Sequence, residues 1–492
     1  MATKTNSKKV NIAGVIFFVL QVLASVALVV LLMQIAILPT KFLIVIAAIL
    51  AALCIISLIM QLSQHGKVVG LIYSIIIAAV LITGSAYLWK TNKALTNVSA
   101  ASENSTITSR MSILVLADSG MEGLQDLAGQ AIGIQSTLDQ AKTKQSLSEL
   151  QIHFESELPT VSYNSYITAA TGLYSGEVNA IIFNEAFRGL VEETYPNFNT
   201  ETKALQEFTY KEIIKTPEKE SENSIEHRED VKVAQEPFIV YLSGNDGYGE
   251  VDIDGGRSDV NILAVINPET KEILLVTTPR DGYVELPWGS HDKLTHASIW
   301  GLDTSVEVLE DLYGFAIDYY ARINFSGFEA IVDALGGVSV YSAEDFTTFA
   351  GTYFHEGYND VDGATALTFV RERYNLSGGD LARGKNQMRM IQAIIDKITS
   401  PAILTSYMPL MDSLSSAVAT NMPKDKISSL VKMQMEDNAA WHITSYEVQG
   451  EGNWRVCYSS GDERSVVDLY DYSVEEAISK MQDVIDGKHL SD

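Results

Sequence analysis

The sequence predicts an α/β protein behind three N-terminal transmembrane helices: a small α/β accessory domain, then a larger α/β/α layered domain with a mixed central sheet. Three observations predict it. Apolar segments of membrane-spanning length follow one another at roughly residues 10–38, 42–62 and 68–89. Beyond them, short apolar runs of strand length alternate with helical stretches in two blocks. Small polar or charge-rich segments, at 90–110 and 211–236, set those blocks apart.

Residues 1–9 form a short tail whose Lys4, Lys8 and Lys9 favour the cytoplasmic side. Three crossings, over 10–89, then place everything after Trp89 outside the cytoplasm. A cleavable signal peptide has a much shorter apolar stretch, so the helices are expected to be retained. After the linker at 90–110, the accessory domain is expected over 111–210. There "MSILVLADSG" reads as a buried strand into a turn, "DLAGQAIGI" as turn and strand, and "NAIIFNEAFRGLVEETY" as strand then helix. Residues 211–236 are a charged linker, and 237–492 the layered domain. Its strands are expected at 238–243, 260–267, 272–277, 317–323 and 338–341, with helices at about 294–313, 327–335 and 385–398. Ser326 is the expected cap of the middle helix and Gly336-Gly337 its stop.

The 62 acidic against 35 basic residues give a formal net charge of −27, which argues against nucleic acid as a partner. Two cysteines, Cys54 and Cys457, make no disulfide framework. Against this acidic background, four stretches of the last domain concentrate charge beside glycine. They are "LSGNDGYG" with Asp246, "GGRSDVNILAVINP" with Arg257 and Asp259, "LLVTTPRDGYV" with Arg280 and Asp281, and "ALTFVRERYNLSGGDLARGKNQ". Loops at the carboxyl ends of strands are where open α/β sheets hold ligands. In the fourth stretch Arg371 and Arg373, two apart, are expected on one side of an extended segment. Asp380, Arg383 and Gln387 share one face of a helix that Asp380 is expected to cap. Carboxylates with several arginines suit a pyrophosphate and a divalent cation: oxygen ligands for the metal, guanidinium forks for the phosphate oxygens. Any one such fragment alone is more often surface salt bridging; four together at strand ends are not. His291 and His296 in "SHDKLTHASIW" are spaced wrongly for a metal pair on one helix face, and a polar loop with a buried helix residue is the expectation. Asp252 and Asp254 read as an acidic exposed turn.

"GRSDVNILAVINP", "LLVTTPRD", "KLTHASIWG", "INFSGFEAIVDALGGVSV" and "GATALTFVRERYNLSGGDLARGKNQ" together resemble the LytR–CpsA–Psr family of Gram-positive cell-envelope proteins, over about residues 237–490. The three spans and the extra domain are most similar to the family's capsule-locus branch. The resemblance implies that Asp246 and Asp259 take the metal places, for Mg2+ or Mn2+. It implies that Arg257, Arg280, Arg371, Arg373 and Arg383 grip a lipid pyrophosphate, with Gln387 a polar contact there. Arg257, Arg280, Asp281 and Asp380 form the implied catalytic set. The implied reaction moves a phospho-glycan, capsular polysaccharide, from a polyprenyl-pyrophosphate carrier to a peptidoglycan hydroxyl at the outer face of the cell membrane. The partners it implies are that lipid-linked glycan, peptidoglycan, membrane lipid and other capsule-assembly proteins. Three alternatives stay open: a lipid-pyrophosphate hydrolase, a membrane-bound regulator, and an adaptor that binds without turnover. The tail of about nine residues is too short for a module that reads a DNA groove.

Overall fold

A computed structural model describes residues 2–35, 38–63, 66–100, 106–213, 225, 227–228, 230–245, 256–400, 410, 413 and 418–491. Its first part is three helices, α1 (Ala2–Ile35), α2 (Thr40–Leu62) and α3 (Lys67–Ala100). Each is long and apolar enough to cross a membrane, over Ile12–Ile35, Thr40–Leu62 and Lys67–Lys90. Branched side chains such as Ile44, Ile59 and Val80 stay exposed along them, a surface that water would penalise and lipid accepts. The expected linker at 90–110 is shorter than its composition suggested. Small residues with no breaker let α3 run on to Ala100, and strand begins at Thr106.

The next block is a five-stranded sheet of β1 (Thr106–Leu116), β2 (Ile132–Gln135), β3 (Thr160–Tyr163), β4 (Ala180–Asn184) and β5 (Thr202–Ile213), in the order β3-β2-β4-β1-β5. Alternation along β1 sends Met111, Ile113 and Val115 to one face and Leu114 to the other, so both faces carry an apolar cluster. Helices α4 (Gln140–Gln151), α5 (Tyr166–Ser175), α6 (Arg188–Glu192) and α7 (Phe198–Glu201) connect its strands. Ser165 starts α5 by accepting from the Thr168 N–H, and Gly176 ends it at φ 75°.

The second block is built on a six-stranded mixed sheet. Its strands include β6 (Phe238–Gly244), β7 (Val260–Asn267) and β8 (Glu272–Thr277). The hairpin β9 (Tyr283–Glu285) and β10 (His291–Lys293) follows, then α8 (Leu294–Ala297) and α9 (Leu302–Tyr313), and β11 (Tyr319–Ile323) leads into α10 (Phe325–Ala334). Small ribbons come next: β12 (Val338–Ser342) pairs with β15 (Gly357–Val361), and β13 (Phe346–Thr347) with β14 (Tyr353–Phe354). Then come α11 (Gly363–Arg371), α12 (Gly379–Thr399), β16 (Val418–Thr420), a helix over Lys424–Asp437, β17 (His442–Glu447), the ribbon β18 (Gly450–Val456) and β19 (Glu463–Leu469), and a last helix, Asp471–Ile485.

The sheet order is β16-β11-β6-β7-β8-β17, with β6–β11 and β8–β17 parallel and the other pairs antiparallel. Ile239, Tyr241, Leu263 and Val276 face α9 and the last helix, while Phe238, Val240, Ile262 and Leu275 face Met388 of α12. Both faces are thus covered, the condition for near-continuous apolar strands.

Four local expectations are corrected. Gly301, at φ 110°, splits the expected helix 294–313 into α8 and α9. Asn324 rather than Ser326 caps α10, its side chain accepting from the Gly327 N–H at 2.8 Å. The strand at 338–341 belongs to a ribbon, not the central sheet. A helix, α11, occupies 363–371, begun by Asp362 accepting from the Thr365 N–H.

Candidate active site at one edge of the mixed sheet

Strand register gathers the loops of interest at one edge. Gly244 lies opposite both Val260 and Ile323, Ile262 opposite Thr277, and Thr277 opposite Glu447. The ends of β6, β8, β11 and β17 and the start of β7 therefore open to the same side. Backbone bonds lock the loops there. The Asp259 N–H donates to the Gly244 carbonyl at 2.7 Å, Ser258 N–H to Thr295 O at 3.1 Å, and Thr295 N–H to Arg280 O at 2.9 Å.

Arg280 Nη1 meets Asp259 Oδ1 at 2.6 Å, and the Thr295 hydroxyl donates to the same oxygen at 3.3 Å. Asp281 faces Lys293 Nζ at 3.0 Å and Arg280 Nε at 3.9 Å. Burial pushes the Asp281 carboxyl up, but the charges of Lys293 and Arg280 outweigh it and hold the group below the usual range, so it stays ionised. Lys293 was missed by sequence reasoning, which dwelt on the histidines of "SHDKLTH". Those histidines are not a metal pair. His291 is exposed at the start of β10 against Tyr283, and His296 is fully buried with Nδ1 at 2.7 Å from Asp292. Ser459 Oγ reaches the same Nδ1 at 3.0 Å and its N–H donates to Asp292 at 2.6 Å. A serine nucleophile needs the ring nitrogen opposite the one that the acid holds, so this trio braces the loop rather than attacking.

Arg257, in the loop before β7, donates from Nη1 to Glu193 of the accessory domain at 2.7 Å. Arg371 ends α11 with its guanidinium 4.4 Å from the ring centre of Phe325, the first residue of α10, just past the end of β11. The expectation that Arg371 and Arg373 extend to one side is corrected: Arg371 is helical, Glu372 is the cap, and Arg373 sits beyond over the Tyr374 ring at 5.7 Å. Buried Glu372 fixes this turn by accepting the N–H groups of Phe349, Arg373 and Asn375 at 2.6, 3.0 and 3.0 Å. Burial raises its carboxyl, yet those donors bring it below the ordinary value.

Gly378, not Asp380, stands at the cap of α12, and Asp380 falls in the first turn; its side chain lies outside the described residues. Arg383 and Gln387 lie on α12, with Gln387 Nε2 reaching the Val370 carbonyl at 3.4 Å. The helix presses on the sheet edge at Gly384, where a Cβ would stand 2.7 Å from Glu447 Oε1 and 4.0 Å from Thr277. Asp246, Asp252 and Asp254 lie outside the described residues. The structure brings Asp259, Arg280 and Asp281 into direct contact, sets Arg371, Arg383 and Gln387 on elements packed at the same edge, and turns Arg257 to the accessory domain. At or beside this edge Arg280, Lys293, Arg371 and Arg383 bring cationic donors together with the oxygens of Asp259 and Asp281, an electrostatic setting for an anion with several oxygens.

A model described as the LytR_cpsA_psr family matches residues 201–473. A polyisoprenyl-teichoic acid–peptidoglycan teichoic acid transferase TagU of Oceanobacillus iheyensis is 37% identical over 213 residues, 42% of this chain and 66% of that protein. The protein of the same name from Bacillus mycoides is 34% identical over 220 residues, 44% of this chain and 70% of the relative. The chain thus spans about two thirds of the length of these curated relatives. The crystal structure of B. subtilis TagV aligns at 24% identity and a TM-score of 0.44, over 51% of this chain and 98% of that one.

Proposed function

The chain belongs to the LytR_cpsA_psr family, and from that premise we propose that it transfers a phospho-glycan from a polyprenyl-pyrophosphate carrier to a hydroxyl of peptidoglycan. The names of its relatives support a glycopolymer–peptidoglycan ligase, and the capsule-locus resemblance makes capsular polysaccharide the proposed cargo. The observation that carries the reading is the Arg280–Asp259–Asp281 contact at the sheet edge where Arg371 and Arg383 are mounted.

In the proposed reaction the acceptor oxygen bonds to the glycan-side phosphorus as the bond to polyprenyl phosphate breaks, and the proton of the acceptor hydroxyl passes to solvent, leaving a phosphodiester and polyprenyl phosphate. Charge grows on the departing phosphate. Arg280, Arg371, Arg373 and Arg383 hold its oxygens, Arg257 and Gln387 complete the grip, and Asp281 keeps Lys293 and Arg280 in place. Such a reaction needs positioning and charge neutralisation more than a covalent intermediate. Asp259, with Asp246 as the proposed second acid, offers the hard oxygen donors that magnesium takes alongside substrate phosphates. Bound there, the ion would supply positive charge to the phosphate oxygens. Asp380 is proposed as a further acid of the site. The three apolar helices anchor the chain in the membrane, and the proposed arrangement is multi-pass with both domains outside, beside their lipid substrate.

The test incubates the full chain in lipid nanodiscs with lipid-linked glycan, magnesium and peptidoglycan fragments, and weighs the products. Glycan joined to peptidoglycan through a phosphodiester is expected, and Asp259→Ala or Arg371→Ala should abolish it. Free glycan phosphate formed equally without acceptor would mean hydrolysis. Attachment that persists in both variants overturns the assignment.

A further inference from the structure

We propose that the accessory domain completes the site, with Glu193 as a positioning residue that seats Arg257 before substrate arrives; this rests on Arg257 being a diphosphate contact. Short helix α6 presents Gly189 and, one turn later, its cap Glu193 to the loop that carries Arg257. Glu193 Oε1 accepts from Arg257 Nη1 at 2.7 Å, with the two side chains 26% and 15% exposed. At Gly189 a Cβ would stand 3.3 Å from Arg257 Nε and 3.5 Å from Cζ, so the guanidinium occupies space that any larger residue would crowd. The arginine thus has a fitted seat as well as a charged partner.

The seat is held in place by the dock around it. Phe187, just before α6, meets Trp300 edge-on at 5.9 Å, and Ile299 of the larger domain is buried in the accessory cluster with Phe187 and Leu190. Arg464 reaches Thr194 at 3.4 Å on the far side. Three residues of the larger domain, Ile299, Trp300 and Arg464, therefore fix this stretch of the accessory domain relative to the loop. A long arginine otherwise samples many rotamers, and ordering it in advance removes that cost from substrate binding. A contact built to be broken by substrate would need no fitted seat at Gly189.

The test titrates the full chain in nanodiscs with a short-chain polyprenyl diphosphate by calorimetry, and follows turnover of lipid-linked glycan. Glu193→Ala should weaken binding and raise KM roughly tenfold, about one charge-assisted hydrogen bond, while kcat moves less than twofold. In an Arg257→Ala background the same change should add nothing. Thr194→Ala, which removes only the Arg464 contact, should bind as the unaltered chain does. Glu193→Ala binding equally or more tightly, or losing the same factor with Arg257 already gone, overturns the proposal. Arg257→Ala with undiminished affinity instead overturns the reading of Arg257 beneath it.

Discussion

Arg188, which opens α6 in the accessory domain, and Arg280, in the loop after β8 of the mixed sheet, are used in opposite ways. In the accessory domain Arg188 turns back on its own neighbourhood, donating to both oxygens of Glu185 at 2.6 and 2.9 Å. Its guanidinium lies over Phe183 and Phe198, 5.6 and 5.4 Å from the ring centres. In the mixed sheet Arg280 reaches from the end of β8 to Asp259 at the start of β7, while also facing its neighbour Asp281. Both domains are α/β, and both bury their strands on two faces. The difference is that Arg188 is paired three residues away within one short stretch, whereas Arg280 joins charge from separate elements at one sheet edge. Fold alone does not predict chemistry; the range over which charges are paired is the better guide.

Four measurements sharpen or break that contrast. Arg280→Ala should cut glycan attachment by about a thousandfold, the scale of removing one donor from a charge-stabilising site, with hydrogen exchange in the accessory sheet unchanged. Equal loss from Arg188→Ala would erase the distinction. Asp292→Asn should lower the local opening energy of the β9–β10 region by roughly 2–3 kcal/mol, the worth of a buried bond to a charged group. Burial pushes the Asp292 carboxyl up, but His296 and the Ser459 N–H hold it below the ordinary value. A depressed folded value means stability is present above the unfolded value of about 3.9 and lost as pH falls through the lower folded one. The variant should therefore flatten the acid limb of exchange in the second domain only.

Gly363→Ala comes next. Its Cβ would stand 2.3 Å from the Glu329 carbonyl, wedging α11 from α10, at a cost of about 2–3 kcal/mol. Because α11 carries Arg371, attachment should fall as well. The smallest effect belongs to Arg188→Ala, roughly 1 kcal/mol in accessory-sheet exchange and none in attachment.

Much of the fold was legible from the length of apolar runs and the turn residues that bound them. The runs that became β4, β6, β7 and β8 are short, apolar and bounded by turn residues, which is what a doubly covered strand requires. Helix ends were harder, because Asn324 and Ser326 are both good caps and only the fold decides between them. The alternation in "VRER" suggests an extended segment at Arg371, whereas Asp362 starts a helix nine residues earlier. For the site, residues adjacent in sequence, such as Arg280 and Asp281, were within reach of inspection. Glu193, Lys293 and Glu372 were not. Glu193 meets its partner across 64 positions, and the other two look like ordinary surface charge until burial is known.

The apolar helices do more than end near the second domain. Ile35 at the close of α1 and Leu88 on α3 pack into the same cluster as Val332 and Phe369, and Lys41 at the start of α2 donates to the Glu436 carbonyl at 3.1 Å. All three helices thus grip one body from below, as a tripod grips a camera head. In the proposed multi-pass arrangement a tripod would forbid swivelling, so the edge that carries Arg280 would keep one heading relative to the bilayer. The proposed lipid-borne cargo would then come to it by diffusing sideways, and shortening or lengthening any single leg should tilt the whole platform.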